Sequence, residues 1–234
     1  MTQFITSVHC ESCEKCNEHL PILRNLEKNE SEIINRKRYE VKFRAGENIL
    51  KQGTTSTHIV VLTTGSAKAY IEGFNGRNLI FQIFKSWQIF GSPGLYVDNR
   101  YHYSVTALED STACFINAQS IKEVFRLNPD FAESFFSLCS SSTLVTFERF
   151  TSLTQKQMHG RIADVLLYLS EEIYHSKEFA LLLSRQDIAD FSGMSKDSAI
   201  RILKELENEG IIRASAKKIN ILRSDTLKQI SLKG

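Results

Sequence analysis

The chain of 234 residues is poor in the residues that break regular structure, with three prolines and eleven glycines, and it carries almost no net charge, +2. So little proline and glycine excludes collagen-like and linker-dominated chains, and a hydrophobic fraction of 42% excludes a disordered composition. No run approaches the roughly 18–20 apolar residues of a membrane span. Residues 1–20 hold three acidic residues, three cysteines and no apolar stretch, so they do not read as a secretory signal. A soluble cytoplasmic protein with no membrane partner is expected. The small charge gives no global sign of nucleic-acid binding, so any such role must come from a local site. Also missing are G-x-x-x-x-G-K-[ST], H-E-x-x-H, G-x-S-x-G and G-x-G-x-x-G. No enzymatic activity is expected.

Cysteine is present but unevenly spread. Cys10, Cys13 and Cys16 lie within seven residues, while Cys114 and Cys139 stand alone. In a reducing compartment such a cluster points to metal or thiol chemistry rather than disulfides. The C-x2-C-x2-C step has the close thiolate spacing of ferredoxin-like iron–sulfur loops, which need a fourth thiolate from elsewhere. A four-thiolate zinc site uses the same residue types. The plain alternative is a set of reduced thiols without metal, with Cys114 a small buried hydrophobe on a strand. His9 and His19 read as bystanders and Cys139 as packing. No pattern supports haem ligation by His58 or His102.

From about residue 36 to 119 short apolar and β-branched segments alternate with glycine turns. Val41–Phe43, Asn48–Gln52, His58–Thr63, Lys68–Ile71, Leu79–Phe84, Tyr101–Thr106 and Ser111–Ile116 read as strands, with Asn75-Gly76 as a hairpin turn. Strands at this spacing predict an antiparallel sandwich or barrel. Asn128-Pro129 is a good helix start, and neither proline nor glycine follows until Gly160. Phe131, Phe135, Leu138, Val145 and Phe150 form one stripe on this long helix. It needs a partner surface, either the β domain or the same helix of a second copy. Ser140, Ser141 and Ser142 interrupt the stripe and suggest a weak seam. A second helix is expected over Gln157–Ser176, with a domain boundary near Thr154.

The densest local signal runs from Leu183 to Leu206. Ser184 is an N-cap with Asp187 in the capping-box place. Gly193 suits a tight turn with positive φ. Ser195 caps a second helix whose Ala199, Ile202, Leu203 and Leu206 form its inner face. Two helices joined through such a turn make a helix-turn-helix, whose second helix enters the DNA major groove by its N-terminal residues. Lys196, Asp197, Ile200 and Arg201 face solvent at that end. Arg can bond guanine O6 and N7 together, and a carboxylate can accept from cytosine N4. Residues 210–222 read as a β-hairpin wing with Lys217 and Lys218 at its tip, suited to phosphate. The bland counterpart is a solvated helical hairpin with ordinary surface charges.

On these motifs the chain resembles the CRP/FNR superfamily of bacterial transcription regulators. The resemblance rests on Leu183–Leu206 with Glu209-Gly210-Ile211-Ile212, on Phe43–Glu47, Gly53, Gly65–Tyr70 and Gly76-Arg77, and on the helix after Pro129. It implies an α+β protein with three parts. Residues 1–127 would form a cysteine-containing arm and an antiparallel β-roll of cyclic-nucleotide-binding type. Residues 128–154 would form a dimerisation helix and residues 155–234 a winged helix-turn-helix. By the same resemblance phosphate contacts fall on Ser184, Arg185, Gln186 and Ser195, and base reading on Lys196, Asp197, Ile200 and Arg201. Ile200 departs from the small or polar residue usual there, and suits a thymine methyl. The implied partners are a pseudo-palindromic double-stranded operator, a second copy of the chain and RNA polymerase.

The resemblance also bears on the signal. Cyclic-nucleotide members carry Gly-Glu-Leu and a downstream Arg-Ser or Arg-Thr pair. Here Gly91-Ser92-Pro93 and His102-Tyr103 stand instead, with Arg100 displaced, so cAMP is not expected. Leu108-Glu109-Asp110-Ser111-Thr112-Ala113-Cys114 resembles the segment that supplies the fourth cluster ligand in FNR-like oxygen sensors. This makes Cys10, Cys13, Cys16 and Cys114 the candidate metal ligands, although the third spacing is shorter than in those sensors. The alternative is a regulator without metal that answers to another small ligand in the β-roll, or to none.

Overall fold

The computed structural model describes residues 20–215 and 217–234. Two compact units emerge: one includes the chain up to Ala69 and Gln82–Leu144, the other Tyr70–Phe81 and Val145–Gly234. The long helix contributes to both, so these units do not decide the three-part division expected from the sequence.

Eight strands build the N-terminal half: β1 (Tyr39–Phe43), β2 (Asn48–Leu50), β3 (His58–Thr64), β4 (Ser66–Glu72), β5 (Asn78–Lys85), β6 (Gln88–Phe90), β7 (Ser104–Ala107) and β8 (Ser111–Asn117). They form two four-stranded sheets, β1-β8-β3-β6 and β2-β7-β4-β5. β3 is β-branched and buried almost throughout, as suits a central strand, and pairs Val60 with Phe115 and Val61 with Cys114. The β4–β5 tip places Asn75 and Gly76 at φ 57° and 72°, the left-handed region that an Asn-Gly pair tolerates. The expected strand at Tyr101 begins only at Ser104. The two tyrosines before it instead bond to neighbouring backbone: Tyr101 Oη donates to His58 O at 2.7 Å, and Gly91 N donates to Tyr103 Oη at 2.9 Å.

Helix α1 (Lys28–Asn35) was not foreseen, since its cap is Glu27, in a capping box with Glu30, rather than a short polar residue. Helix α2 (Ala118–Leu127) starts at Asn117, whose Oδ1 accepts from Gln119 N and Ser120 N. Helix α3 (Pro129–Gln155) follows, capped by Asn128 Oδ1 accepting from Phe131 N at 2.8 Å. Its serines do not interrupt it. Ser141 and Ser142 donate to the carbonyls of Ser137 and Leu138, one turn back, which satisfies them inside the helix.

The predicted stripe on α3 needs correction. Phe131 and Phe135 are buried in a cluster with Leu23, Ile34, Cys114, Ile121 and Val124, but Phe150 is 66% exposed. Phe150 lies on another face, with Phe136, Leu144 and Phe147 exposed by 73%, 62% and 61%. At 100° per residue these four fall within an arc of roughly 120°. Helix α3 therefore has two apolar faces, one spent inside the chain and one open.

The C-terminal half holds α4 (Met158–Tyr168) continued by one π turn (Leu169–Ile173), β9 (Glu178–Ala180), α5 (Arg185–Ser192), α6 (Lys196–Asn208), β10 (Ile212–Ala214), β11 (Lys218–Ile221) and α7 (Ser224–Lys233). The expected hairpin is β10–β11. It gains β9 as a third antiparallel strand, in the order β10-β11-β9. Fold class thus agrees with expectation: an antiparallel β-roll, a long helix and a winged helix-turn-helix.

Candidate nucleic-acid interface

Helix α6, the expected reading helix, stands on a dry base. Ile162, Ala163, Val165 and Leu166 of α4, Ile188, Ala189 and Phe191 of α5, and Ala199, Ile202 and Leu206 of α6 are all essentially inaccessible. Each large side chain so buried contributes about 1.5–3 kcal/mol. That leaves the opposite face of α6 free of structural duty.

Local chemistry sets the ends of the two helices. Ser184 Oγ accepts from Asp187 N, while Asp187 Oδ2 accepts from Ser184 N at 2.9 Å, closing the capping box. Helix α5 ends at Gly193, φ 61° and ψ 45°, with Met194 N donating back to Ala189 O. Ser195 Oγ then caps α6 by accepting from Ser198 N at 3.1 Å.

Two arginines hold the turn from behind. Arg149, near the end of α3, donates from Nη2 to Phe191 O and lies 4.4 Å above the Phe191 ring. It is 8% exposed, and burial pulls its guanidinium pKa down. Its Nε is buried without a partner among the described residues. Arg161 of α4 donates from Nε to Lys156 O and from Nη1 to Gly193 O. Carbonyls at a helix C-terminus lack intrahelical partners and favour cations, so both arginines sit where α5 can use them. Sequence reasoning missed both, as neither lies near the motif.

The predicted phosphate-contacting residues gather at the start of α5 and at the wing. Ser184 and Gln186 are exposed, and Gln186 Nε2 donates to Asp190 Oδ1. Arg185 is half-buried: Nη2 donates to Ser215 O in the wing at 2.7 Å, and Nη1 is buried without a partner among the described residues. Ser195 is exposed beside them in sequence order, at the start of α6. Lys217 is exposed, whereas Lys218 Nζ forms an ion pair with Glu178 of β9. Lys196, Asp197, Ile200 and Arg201 all lie exposed on the first two turns of α6. Arg201 Nη1 pairs with Glu205 Oε1 at 3.0 Å, and the second oxygen of Glu205 is 2.7 Å from His159 Nε2. The hydrogen bond from His159 is the main cause that holds the Glu205 carboxyl below the usual carboxylate range; desolvation opposes it, and the nearby Arg201 charge adds to the lowering.

Of the four candidate metal ligands, Cys10, Cys13 and Cys16 lie outside the described residues. Cys114 is buried on β8, with Arg38 Nη1 at 3.8 Å from Sγ, in the apolar cluster that includes Leu20 and Leu23. Among the described residues no group of three or more His, Cys, Asp or Glu could hold a metal ion. In the segment that replaces the cyclic-nucleotide motif, Tyr103 is half-buried, desolvation pushes its phenol pKa up to about 12, and its hydroxyl accepts from the Gly91 amide. Arg100 points to solvent. A cavity of about 840 Å³ lies against α3 in the N-terminal unit, with Trp87, Phe84 and Leu138 on its apolar side and Asp130 and Glu133 on its polar side. Among the described residues no Lys, Arg or His lines it. No helix among the described residues is long and apolar enough to cross a membrane.

Comparison with known proteins agrees with this geometry. The family model of the cyclic nucleotide-binding domain matches residues 40–128, and that of the Crp-like helix-turn-helix domain matches residues 160–230. The transcriptional regulatory protein btr of Bordetella pertussis is 25% identical over 96% of this chain and 93% of its own. The cAMP-activated global transcriptional regulator CRP of Salmonella typhimurium is 25% identical over 76% of this chain and 87% of its own. A solved structure of a putative crp/fnr-family regulator from Eubacterium rectale, 18% identical, superposes with a TM-score of 0.79 over 92% of this chain and 99% of that one. With a β-roll, a long helix and a winged reading head in this order, the chain belongs to the CRP/FNR superfamily, a family of DNA-binding transcription regulators rather than enzymes.

Proposed function

We propose that this regulator binds a pseudo-palindromic operator as a homodimer, and that its N-terminal half gates binding through an iron–sulfur cluster on Cys10, Cys13, Cys16 and Cys114. The observation that carries the dimer is the open apolar face of α3, Phe136, Leu144, Phe147 and Phe150. Packing of two such faces would bury them and bring two reading heads to half-sites about 34 Å apart. Lys196, Asp197, Ile200 and Arg201 would then meet base edges. Ser184, Arg185, Gln186, Ser195, Lys217 and Lys218 would meet phosphates. RNA polymerase is the second partner carried over from the family.

Cys114, the one candidate ligand among the described residues, suits the sensing role. Cys114 shares its buried cluster with Leu20 and Leu23, which follow the cysteine segment in sequence. Cys16 precedes Leu20 by four positions, a reach of up to about 14 Å. Arg38 Nη1 lies 3.8 Å from Cys114 Sγ, a cationic donor beside a candidate ligand. A cluster bound there would supply redox sensitivity. This chain's own part is to present four thiolates and to couple their occupancy to the α3 faces as a population shift. Anaerobic purification with iron, sulfide and zinc assays tests the reading. A coloured protein containing iron and sulfide that loses them in Cys114→Ser supports it. Zinc alone points to the four-thiolate alternative. A colourless, metal-free protein that still binds operator in air refutes both.

The cavity beside α3 favours a second reading, a regulator without metal that answers to a small molecule. With an aromatic wall and two carboxylates, and no basic residue among the described ones, it suits an uncharged or cationic ligand better than an anionic one.

A further inference from the structure

Arg201 is the side chain on α6 best suited to reading a guanine, and it is not held by its own helix alone. Glu205, one turn on, accepts from Arg201 Nη1 with Oε1 at 3.0 Å. Its other oxygen lies 2.7 Å from Nε2 of His159, on the first turn of α4. An ionised carboxylate can only accept, so His159 presents Nε2 as the donor. All three groups are substantially exposed, so the chain is not a buried structural ion pair. Nor is it a random surface contact. The two oxygens of one carboxylate are divided between two helices, and α4 belongs to the dry base on which α6 is mounted.

The division has a chemical consequence. Nη1 is the only atom through which Arg201 bonds to the described residues. The parallel N–H groups of Nε and Nη2 are left as the second fork of the guanidinium, the geometry that pairs with guanine O6 and N7. Without an anchor, an arginine on an exposed helix face samples many rotamers and presents either edge, and ordering it on DNA costs free energy.

We infer that His159 and Glu205 are positioning residues for sequence readout, holding the Arg201 guanidinium from α4 so that its Nε/Nη2 edge faces the base. The inference rests on Arg201 as a base reader, and the test separates the two. Operators are selected from a random duplex pool with the full-length wild-type chain. Each base pair of the half-site is then replaced in turn, and affinities are measured at one fixed salt concentration for wild type, Arg201→Ala, Glu205→Ala, His159→Leu and His159→Gln. Arg201→Ala is expected to remove discrimination of about 5- to 150-fold at a single base pair. Glu205→Ala and His159→Leu are expected to reduce discrimination by about 3- to 10-fold at that same base pair and leave the other positions within about twofold. His159→Gln keeps a donor near the same reach and is expected to restore most of the loss. A merely structural role would weaken every sequence alike, and that result overturns the inference. So does unchanged discrimination in Glu205→Ala with an intact Arg201→Ala effect, while the reading of Arg201 survives. A flat panel for Arg201→Ala refutes both.

Discussion

Replacing Gly193 with alanine tests whether the turn between α5 and α6 is set by backbone conformation. The residue sits at φ 61° and ψ 45°, where an L side chain crowds its own carbonyl at about 1–2 kcal/mol. A Cβ there would lie 2.8 Å from Leu153 Cδ2, the far end of a flexible side chain on α3. Leu153 can turn aside, at an added cost of about 0.5–1.5 kcal/mol if it leaves its preferred rotamer. Alanine also narrows the unfolded ensemble, which returns about 0.4–1 kcal/mol. The balance is a loss of about 1–2 kcal/mol. Urea unfolding followed by circular dichroism would read it as a lower midpoint with unchanged slope. Gly193→Asn should lose less than Gly193→Ala, because asparagine tolerates the left-handed region while meeting the same Leu153 contact. Repeating Gly193→Ala in a Leu153→Ala background removes the contact and leaves only the conformational cost. Gly193→Ala as stable as wild type, or Gly193→Asn less stable than Gly193→Ala, would refute the argument.

Three further outcomes are expected. Ser195→Ala removes the acceptor for Ser198 N and should cost about 1 kcal/mol of stability, with a larger drop in operator binding than a distant surface control shows. Phe147→Glu on the open face of α3 should shift the protein towards monomer in sedimentation and abolish tight binding to a palindrome while sparing weak binding to a half-site. Cyclic AMP at millimolar concentration should leave the melting temperature unchanged, since the Gly91 amide is bonded to Tyr103 and the Arg100 side chain is exposed to solvent; a ligand-dependent rise would reverse this reading.

What was legible from sequence had local causes. Ser184, Asp187, Gly193 and Ser195 announce the helix-turn-helix because capping and positive φ are decided within four residues. The β-branched run at His58–Thr64 declares a buried strand in the same way. Strands β6 and β9, three residues each, were missed because pairing to β3 and β11 makes them strands, not their composition. Periodicity found α3 and mixed its faces, since Phe131 and Phe150 are both apolar and only tertiary contact separates the buried from the open side. Glu205 could have been noticed as the i+4 partner of Arg201. His159, forty-six residues before Glu205, could not.

The bond from Arg185 to the carbonyl of Ser215 has a kinetic consequence. It ties the first turn of α5 to the wing, so the two groups of proposed phosphate contacts, distant in sequence, would reach a duplex already mounted on one body. Little ordering remains to be done at the moment of contact. Association should therefore proceed at the rate of encounter, steered by the exposed lysines, and differences among operators should appear in how long the complex lasts. A regulator built this way would search quickly over any sequence and discriminate by lingering.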